Sequence, residues 1–234
     1  MTPARSPVGV LLAAGLGARF DPTGTCLKLL QPARRGRHGG VPIVAAAARN
    51  LNAAVDRTLA IVRPRGHPHQ RELHALLERE GCELVVCEQA DRGMGASLAC
   101  GIRASRDADA WIVALGDMPA IAVSSIAAVV DALRAGHVTA APSYRGQRGH
   151  PVGFSSRCLG ALLACEADRG ARAVLEEFTP HLIAVDDEGI LFDIDYHDYS
   201  AHPCAAARTP NGGLEDLAPP FLESSPQTRK RPDN

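Results

Sequence analysis

The residues best suited to chemistry in this sequence are two glycines and two cations that follow an apolar run. The run at residues 8–12 leads to Gly15 and Gly17, and then to Arg19 and Lys28. Backbone N–H groups of a glycine loop, together with cationic side chains, bind phosphate groups. The spacing therefore predicts a nucleotide loop, and the alternative is an ordinary tight turn after a buried strand.

This loop fits neither of the two best-known phosphate motifs. The chain has no G-x-x-x-x-G-K-[ST], and Phe20 stands where a dinucleotide fingerprint has its third glycine. A secretory signal is disfavoured as well, because glycines interrupt the apolar run and Arg19 follows at once. The prediction depends on the glycines and the cations together.

Carboxylates in two other places could hold a divalent cation. Asp117 follows the apolar run 110–115 within L-G-D-M-P, and Asp193 and Asp195 alternate in L-F-D-I-D-Y. Mg²⁺ prefers carboxylate oxygens, although a single aspartate after a strand can equally be a turn or N-cap residue. Two carboxylates on one face of a strand repel each other unless water or a cation separates them. One of the pair is therefore a candidate for the same metal site as Asp117.

Two further groups remain open between a ligand contact and a local structural role. Ser97 follows D-R-G-M-G-A at a predicted helix start, where it could bind an anion or serve as an N-cap hydroxyl. His150 lies in the segment 145–154, which is rich in glycine and arginine. It could contact a ligand or belong to a turn.

These groups follow apolar runs that alternate with helical patterns. Strands are expected at 8–12, 58–62, 84–87 and 110–115, with helices after Pro42, at 67–81, at 96–104 and around Ile126 to Leu133. Unbroken apolar strands between helices are typical of a parallel sheet covered on both faces. In such sheets ligands bind at the carboxyl ends of the strands.

The second half of the chain is less regular. Strands are expected at 138–141, 152–154, 181–185 and 190–194, a polar loop at 143–150 and a helix at 168–178. We expect one domain over 1–202 and a disordered tail over 203–234, where prolines and glycines replace any periodicity.

Composition excludes several classes of partner. The net charge is −1, from 25 basic and 26 acidic residues, and aromatic residues are only 4% of the chain, so nucleic acid is not an expected partner. The apolar runs are too short to span a bilayer, and a cytoplasmic location without membrane contact is expected. The seven cysteines form no C-x-x-C pair, which argues against a zinc site and for reduced thiols.

Taken in order, the motifs resemble those of the molybdenum cofactor cytidylyltransferases, a group within the nucleotidyltransferases. The matching segments are L-A-A-G-L-G-A-R-F with a following K-L-L, G-M-G-A-S-L, L-G-D-M-P, G-H-P-V-G-F, D-R-G-A-R-A-V-L and D-I-D-Y. The resemblance implies a three-layer, doubly wound, mostly parallel α/β sheet of the glycosyltransferase A-type, nucleotide-diphospho-sugar transferase-like fold.

The same resemblance assigns roles to individual residues. It implies nucleotide binding by Leu12, Ala13, Ala14, Gly15, Gly17, Arg19, Lys28, Ser97 and Asp117. Of these, Lys28, Arg19 and Asp117 would be catalytic, Asp117 and Asp195 would hold Mg²⁺, and Gly149, His150 and Pro151 would contact the acceptor. Alanine at Ala14 favours CTP, since the guanylyl branch usually has glycine there.

Three features of the sequence depart from the family pattern. The spacer between Phe20 and Lys28 is long, residues 34–40 form an arginine- and glycine-rich insertion, and D-I-D-Y-H-D-Y replaces D-I-D-T-P-E-D. The expected reaction is transfer of CMP from CTP to a molybdopterin-type cofactor with release of pyrophosphate. The alternatives are another nucleotide, another phosphorylated acceptor such as a sugar or polyol phosphate, or a non-catalytic partner that delivers cofactor to a client molybdoenzyme.

Overall fold

Four parallel strands form the first half of the central sheet. The structure is a computed structural model that describes residues 7–17, 20–21, 25–165 and 171–194. The strands lie in the order β3-β2-β1-β4, and their bounds are β1 (Val8–Leu12), β2 (Arg57–Val62), β3 (Glu83–Val86) and β4 (Ala110–Leu115). They are connected through α1 (Ile43–Asn52), α2 (Gln70–Arg79) and α3 (Met94–Ala104). This half matches the predicted elements closely.

The second half adds four strands of mixed direction. After α4 (Val123–Arg134) come β5 (Thr139–Tyr144), β6 (Gln147–Arg148), β7 (Val152–Ser155) and β8 (His181–Ala184). The short helices α5 (Leu159–Leu163) and α6 (Arg172–Glu177) lie between β7 and β8. Strand β7 is antiparallel to β4 and β5, while β8 is parallel to β5. Four of the seven strand pairings among the described residues are parallel.

Alternating strand residues pack into two apolar clusters, one on each face of the sheet. On β1, Val10 packs into the cluster that includes Leu98 of α3, whereas Leu11 packs into the cluster that includes Ile43 of α1. Successive side chains of a strand point to opposite faces, so each strand serves both clusters. Helices α1, α2 and α4 cover one face, and α3, α5 and α6 cover the other. The predicted three-layer, doubly wound α/β fold is confirmed.

The predicted strand at 190–194 is wrong. Residues Glu188–Leu191 form a 3₁₀ turn, because the Asp187 carboxylate bends the chain. It accepts hydrogen bonds from the backbone N–H of Gly189 (3.0 Å), the backbone N–H of Ala122 (2.9 Å) and the hydroxyl of Ser125 (2.7 Å). Asp193 therefore follows a turn instead of lying on a strand.

Two other expectations for the second half need correction. The predicted polar loop at 143–150 contains β6, which pairs with β5 across a turn formed by Arg145 and Gly146, both with positive φ. The predicted helix at 168–178 starts no earlier than Arg172 among the described residues, and α5 was not predicted. Within the described ranges five cysteines are free thiols, but Cys26 is disulfide-bonded, so the expectation of reduced thiols is wrong at that position.

The remaining expectations concern the membrane and the tail. No helix within the described ranges is long and apolar enough to cross a bilayer. The predicted tail at 203–234 lies outside the described residues, and the division at residue 202 stays a prediction.

Candidate active site

A cavity of about 400 Å³ opens at the carboxyl ends of the parallel strands. Its size lies within the range of small-ligand sites. The lining comes from strand ends and the loops after them: Leu12, residues 14–17, Phe20, Lys28, Leu29, Arg63, Ala90, Asp91, Gly93, Met94, Ser97, Leu115, Asp117 and Asp193. Most of the predicted nucleotide residues are therefore brought together. Ala13 is an exception, because it is fully buried in the core and its N–H donates to Ile61 O at 2.9 Å.

Gly17 forms the turn of the glycine loop after β1, whereas Gly15 has open space around its Cα. Gly17 has φ +65°, and its carbonyl accepts hydrogen bonds from the N–H groups of Phe20 (2.8 Å) and Asp21 (3.0 Å). A Cβ added at Gly15 would meet no atom within 4 Å, and Gly15 lines the cavity. Protein packing thus gives no reason for glycine at position 15, whereas a ligand that approaches the backbone closely does. Arg19 lies outside the described residues.

The long spacer before Lys28 still returns the lysine to the glycine loop. The Asp21 carboxylate accepts a hydrogen bond from the N–H of Cys26 at 2.8 Å, which closes the spacer at its base. Lys28 then opens a 3₁₀ turn, and a Cβ on Gly17 would lie 3.4 Å from the Cβ of Lys28. The extra residues therefore leave Lys28 in contact distance of the loop.

Lys28 connects two segments of the site that are far from it in the sequence, at Asp117 and at Ile194. Its Nζ donates to Asp117 Oδ2 at 2.7 Å and to the backbone carbonyl of Ile194 at 2.9 Å. The N–H of Ile194 donates in turn to the carbonyl of Asp117 at 3.1 Å. The Lys28 side chain is 13% exposed and that of Asp117 is 25% exposed, so the ion pair is largely shielded but reaches the cavity.

Two carboxylates at this end of the cavity fit a divalent cation. Asp117 and Asp193 both line the cavity, and carboxylate oxygens are the ligands that Mg²⁺ and Mn²⁺ favour. Within the described ranges no group of three or more His, Cys, Asp or Glu side chains is positioned to hold a metal. Such a site suits a cation that keeps water and substrate oxygens in its shell. Asp195, the predicted second ligand, lies outside the described residues.

Arg63 is a site residue that the sequence did not reveal. It follows β2, is 5% exposed, and its Nε donates to the carbonyl of Ala14 at 2.6 Å. Its Nη1 pairs with the Asp91 carboxylate and holds the pKa of that carboxyl below its ordinary value. The carbonyl of Arg63 accepts from Nε2 of the buried His74 at 2.8 Å, provided that this nitrogen carries the proton. Its position directly after β2 is visible in the sequence, but its contact with Ala14 is not.

Ser97 lies within the first turn of α3 and lines the cavity. The N-cap of that helix is Gly93, with φ 109° and ψ −177°, so the N-cap interpretation of Ser97 is wrong. Ser97 is 5% exposed, and its N–H donates to the Gly93 carbonyl at 3.4 Å. The helix N-terminus faces the cavity through Gly93, Met94 and Ser97.

The predicted acceptor segment lies near Asp117 but does not line this cavity. The His150–Pro151 peptide is cis, and the N–H of His150 donates to the Ile190 carbonyl at 2.9 Å. Nδ1 of His150 is buried and has no hydrogen-bond partner among the described residues. Burial lowers the pKa of the imidazole and the nearby Arg148 lowers it further, whereas the Asp117 carboxylate acts in the opposite direction.

This geometry defines a class of protein. A doubly wound sheet presents a glycine loop, a shielded lysine and a cavity-facing carboxylate at the carboxyl ends of its strands, which is the arrangement of a nucleotide-binding α/β protein. The chain belongs to the MobA-like NTP transferase domain family, whose model matches residues 9–182. It is a nucleotidyltransferase by family. The matched stretch includes Lys28, Asp117 and His150 but ends before Asp193.

Curated relatives and solved structures are similar to this chain over most of its length. The purine catabolism protein PucB of Bacillus subtilis is 31% identical over 82% of this chain and 93% of its own length. The nicotine blue oxidoreductase of Paenarthrobacter nicotinovorans is 28% identical over 80% of this chain and 91% of its own. The crystal structure of Rv0371c from Mycobacterium tuberculosis has a TM-score of 0.69 and 26% identity over 85% of this chain and 96% of that one. A manganese complex of Rv0371c has a TM-score of 0.61 and 23% identity over 77% and 88% of the two chains.

Proposed function

We propose that this nucleotidyltransferase transfers CMP from CTP to a molybdopterin-type cofactor and releases pyrophosphate. The observation that carries the proposal is the Lys28–Asp117 pair, 2.7 Å apart, in a cavity that the glycine loop also lines. A non-catalytic binding protein has little need of a shielded lysine and carboxylate at the point where a triphosphate would end. Ala14, which lines the cavity, favours cytosine over guanine.

The glycine loop and Lys28 have separate tasks in this reaction. Amide groups of residues 14–17 bind the outer phosphates, with Arg19 as a predicted additional cation. Lys28 sits beside the carboxylate end and neutralises charge that develops on the α-phosphate in the transition state. Arg63 acts indirectly, because its hydrogen bond to the Ala14 carbonyl fixes the loop.

Asp117 is proposed to hold Mg²⁺, with Asp195 as the predicted second ligand. Asp193 also lines the cavity. The manganese complex of Rv0371c supports the use of a divalent cation in related proteins. When bound, the cation would neutralise phosphate charge during transfer. Asp117 also accepts the hydrogen bond from Lys28, so the lysine holds this carboxylate at the cavity. Residues 149–151 are proposed to contact the acceptor from the Asp117 side.

No general base is needed for the proposed acceptor. A terminal phosphate is largely ionised near neutral pH, since its second pKa is about 6. It therefore attacks without transferring a proton to the protein. This agrees with the cavity lining, in which neither a histidine nor a cysteine occurs among the described residues.

The test is a nucleotide panel with purified protein, molybdopterin and Mg²⁺, measured by pyrophosphate release. We expect turnover with CTP, at least tenfold slower turnover with GTP, and loss of turnover when EDTA removes the metal. Preference for GTP would contradict the assignment of Ala14. Turnover with sugar phosphates but not with molybdopterin would show that the acceptor is a sugar phosphate. No turnover with any nucleotide would favour a non-catalytic binding protein.

A further inference from the structure

The insertion that departs from the family pattern folds as a closed hairpin, residues 33–41, here called the arginine hairpin. The N–H of Ala33 donates to the Val41 carbonyl at 2.7 Å, and the N–H of Gly40 donates to the Ala33 carbonyl at 2.8 Å. Pro32 and Pro42 form a β-bridge at its base. These contacts give the insertion a defined backbone.

The tip of the arginine hairpin packs on the loop that follows Asp117. Gly36 has φ +87°, and a Cβ there would lie 2.9 Å from the carbonyl oxygen of Pro119 and 3.0 Å from the Cα of Ala120. Glycine at position 36 is thus required both by its conformation and by the close approach. The hairpin is held against residues only two and three positions beyond the proposed metal ligand.

A second contact ties the hairpin to the other carboxylate of the site. The guanidinium carbon of Arg35 lies 4.3 Å from the centre of the Phe192 ring, and Phe192 directly precedes Asp193, which lines the cavity. A guanidinium over an aromatic face is a favourable cation–π contact. Arg35 therefore contacts the segment that supplies Asp193 to the cavity.

The hairpin also carries exposed positive charge at Arg35 and Arg37. Arg34, Arg35 and Arg37 lie within four positions, and no Asp or Glu occurs between Asp21 and Asp56. Arg35 and Arg37 are exposed, and within the described ranges neither has a carboxylate partner. Exposed guanidinium groups beside an active site attract anions and bind phosphate oxygens in pairs.

We propose that the arginine hairpin is the surface that receives the anionic acceptor. The inference rests on the proposed function, because it takes the acceptor to be a phosphate ester. In-line transfer places the acceptor opposite the leaving pyrophosphate, and pyrophosphate lies toward the glycine loop. The acceptor phosphate therefore approaches from the side of Asp117 and Asp193, where Gly36 packs on the loop after Asp117 and Arg35 contacts Phe192. The hairpin contributes charge there without entering the nucleotide cavity.

The test compares two double variants that remove the same charge. Arg35→Gln/Arg37→Gln changes the hairpin, and Arg103→Gln/Arg106→Gln changes two exposed arginines at and after the end of α3. We expect the hairpin variant to raise the KM for molybdopterin about tenfold, with less than a twofold change in kcat and in the KM for CTP. We expect the control variant to match wild type. Because salt screens exposed charges, the KM of wild type should rise with ionic strength more steeply than that of the hairpin variant.

Equal KM values for molybdopterin in the two variants would overturn the proposal, and so would a fall in kcat alone. Loss of binding to an acidic client protein, with the KM for molybdopterin unchanged, would also overturn it and assign the hairpin to a protein partner. If wild type itself releases no pyrophosphate, the proposed function fails separately. Calorimetric titration of molybdopterin into the metal-free variants then still tests the hairpin, since equal affinities would contradict it.

Discussion

The two ends of the cavity are built in different ways. At the nucleotide end, Ala14, Arg63 and Asp91 follow the neighbouring strands β1, β2 and β3. Arg63 bonds to both Ala14 and Asp91. At the Asp117 end, residues far apart in sequence meet: Ile194 bonds to Asp117, and His150 bonds to Ile190. A regular parallel sheet assembles the first end, and backbone contacts with a 3₁₀ turn assemble the second.

This difference predicts where substitutions act on chemistry, on nucleotide binding or on folding. Residues that face the cavity at the Asp117 end should affect turnover most. Residues that support either end should affect stability or KM. Each variant below tests whether the two ends can be separated in this way.

The largest expected effect comes from breaking the Lys28–Asp117 pair. Lys28→Ala and Asp117→Asn should each lower kcat by roughly 10³-fold, because each removes charge stabilisation that is strongest in the transition state. Pyrophosphate release from CTP and molybdopterin measures the loss. Circular dichroism should show a retained fold, since neither residue belongs to the apolar clusters. Near wild-type turnover in either folded variant would contradict the proposed mechanism.

Two glycines, one at each end, separate ligand contact from packing. A Cβ on Gly149 would lie 2.4 Å from the Ile190 carbonyl oxygen, whereas a Cβ on Gly15 meets nothing within 4 Å. Gly149→Ala should therefore cost about 2–3 kcal/mol of stability and lower Tm by roughly 5–10 °C. Gly15→Ala should change stability by less than about 0.5 kcal/mol but raise the KM for CTP about tenfold through misplaced phosphates. Thermal unfolding and nucleotide titration measure both, and a reversed order would contradict the assignment of the two ends.

Periodicity and strand-end rules predicted several of the residues that line the cavity. Gly15, Gly17, Lys28 and Asp117 could be found because each follows an apolar strand or lies on the loop after it. Arg63 follows such a strand too, but one arginine after a strand is an ordinary surface residue until its hydrogen bond to Ala14 is seen. The position of Arg63 after a strand is visible in the sequence, but its role follows only from the hydrogen bond to Ala14 in the structure.

The Asp117 end could be predicted only in part. The segment around Asp193 resembles a strand because residues 190–192 are a short apolar run and Ile194 separates Asp193 from Asp195. The side chain of Asp187 overrides that pattern by binding Ala122 and Ser125, which are more than 60 positions earlier in the chain. A contact of that sequence separation leaves no local signal. The same holds for the Lys28 hydrogen bond to the Ile194 carbonyl.

A smaller effect is expected from Arg63 at the nucleotide end. Arg63→Ala should cost about 2–3 kcal/mol, chiefly because the buried Ala14 carbonyl loses its charged hydrogen bond, and should raise the KM for CTP several-fold. The partner Asp91 is 67% exposed, so the ion pair itself adds little. Arg57→Ala is the matched control, because Arg57 forms a two-point contact with Glu83 on the exposed surface. If both variants lose the same stability, Arg63 has no special role in the loop.

The smallest effect is a change in pH dependence at the Asp117 end. Burial lowers the pKa of His150 in the folded protein, so below about pH 6.5 the unfolded chain binds a proton more readily at this position. The free energy of unfolding contributed by His150 is therefore full above that pH and is lost as the pH falls through the lowered folded pKa. His150→Gln should flatten this decline in metal-free protein, measured by urea unfolding between pH 5 and 7.5. An equal decline in wild type and His150→Gln would show that His150 is hydrated, and that the Asp117 end is more open than its contacts indicate.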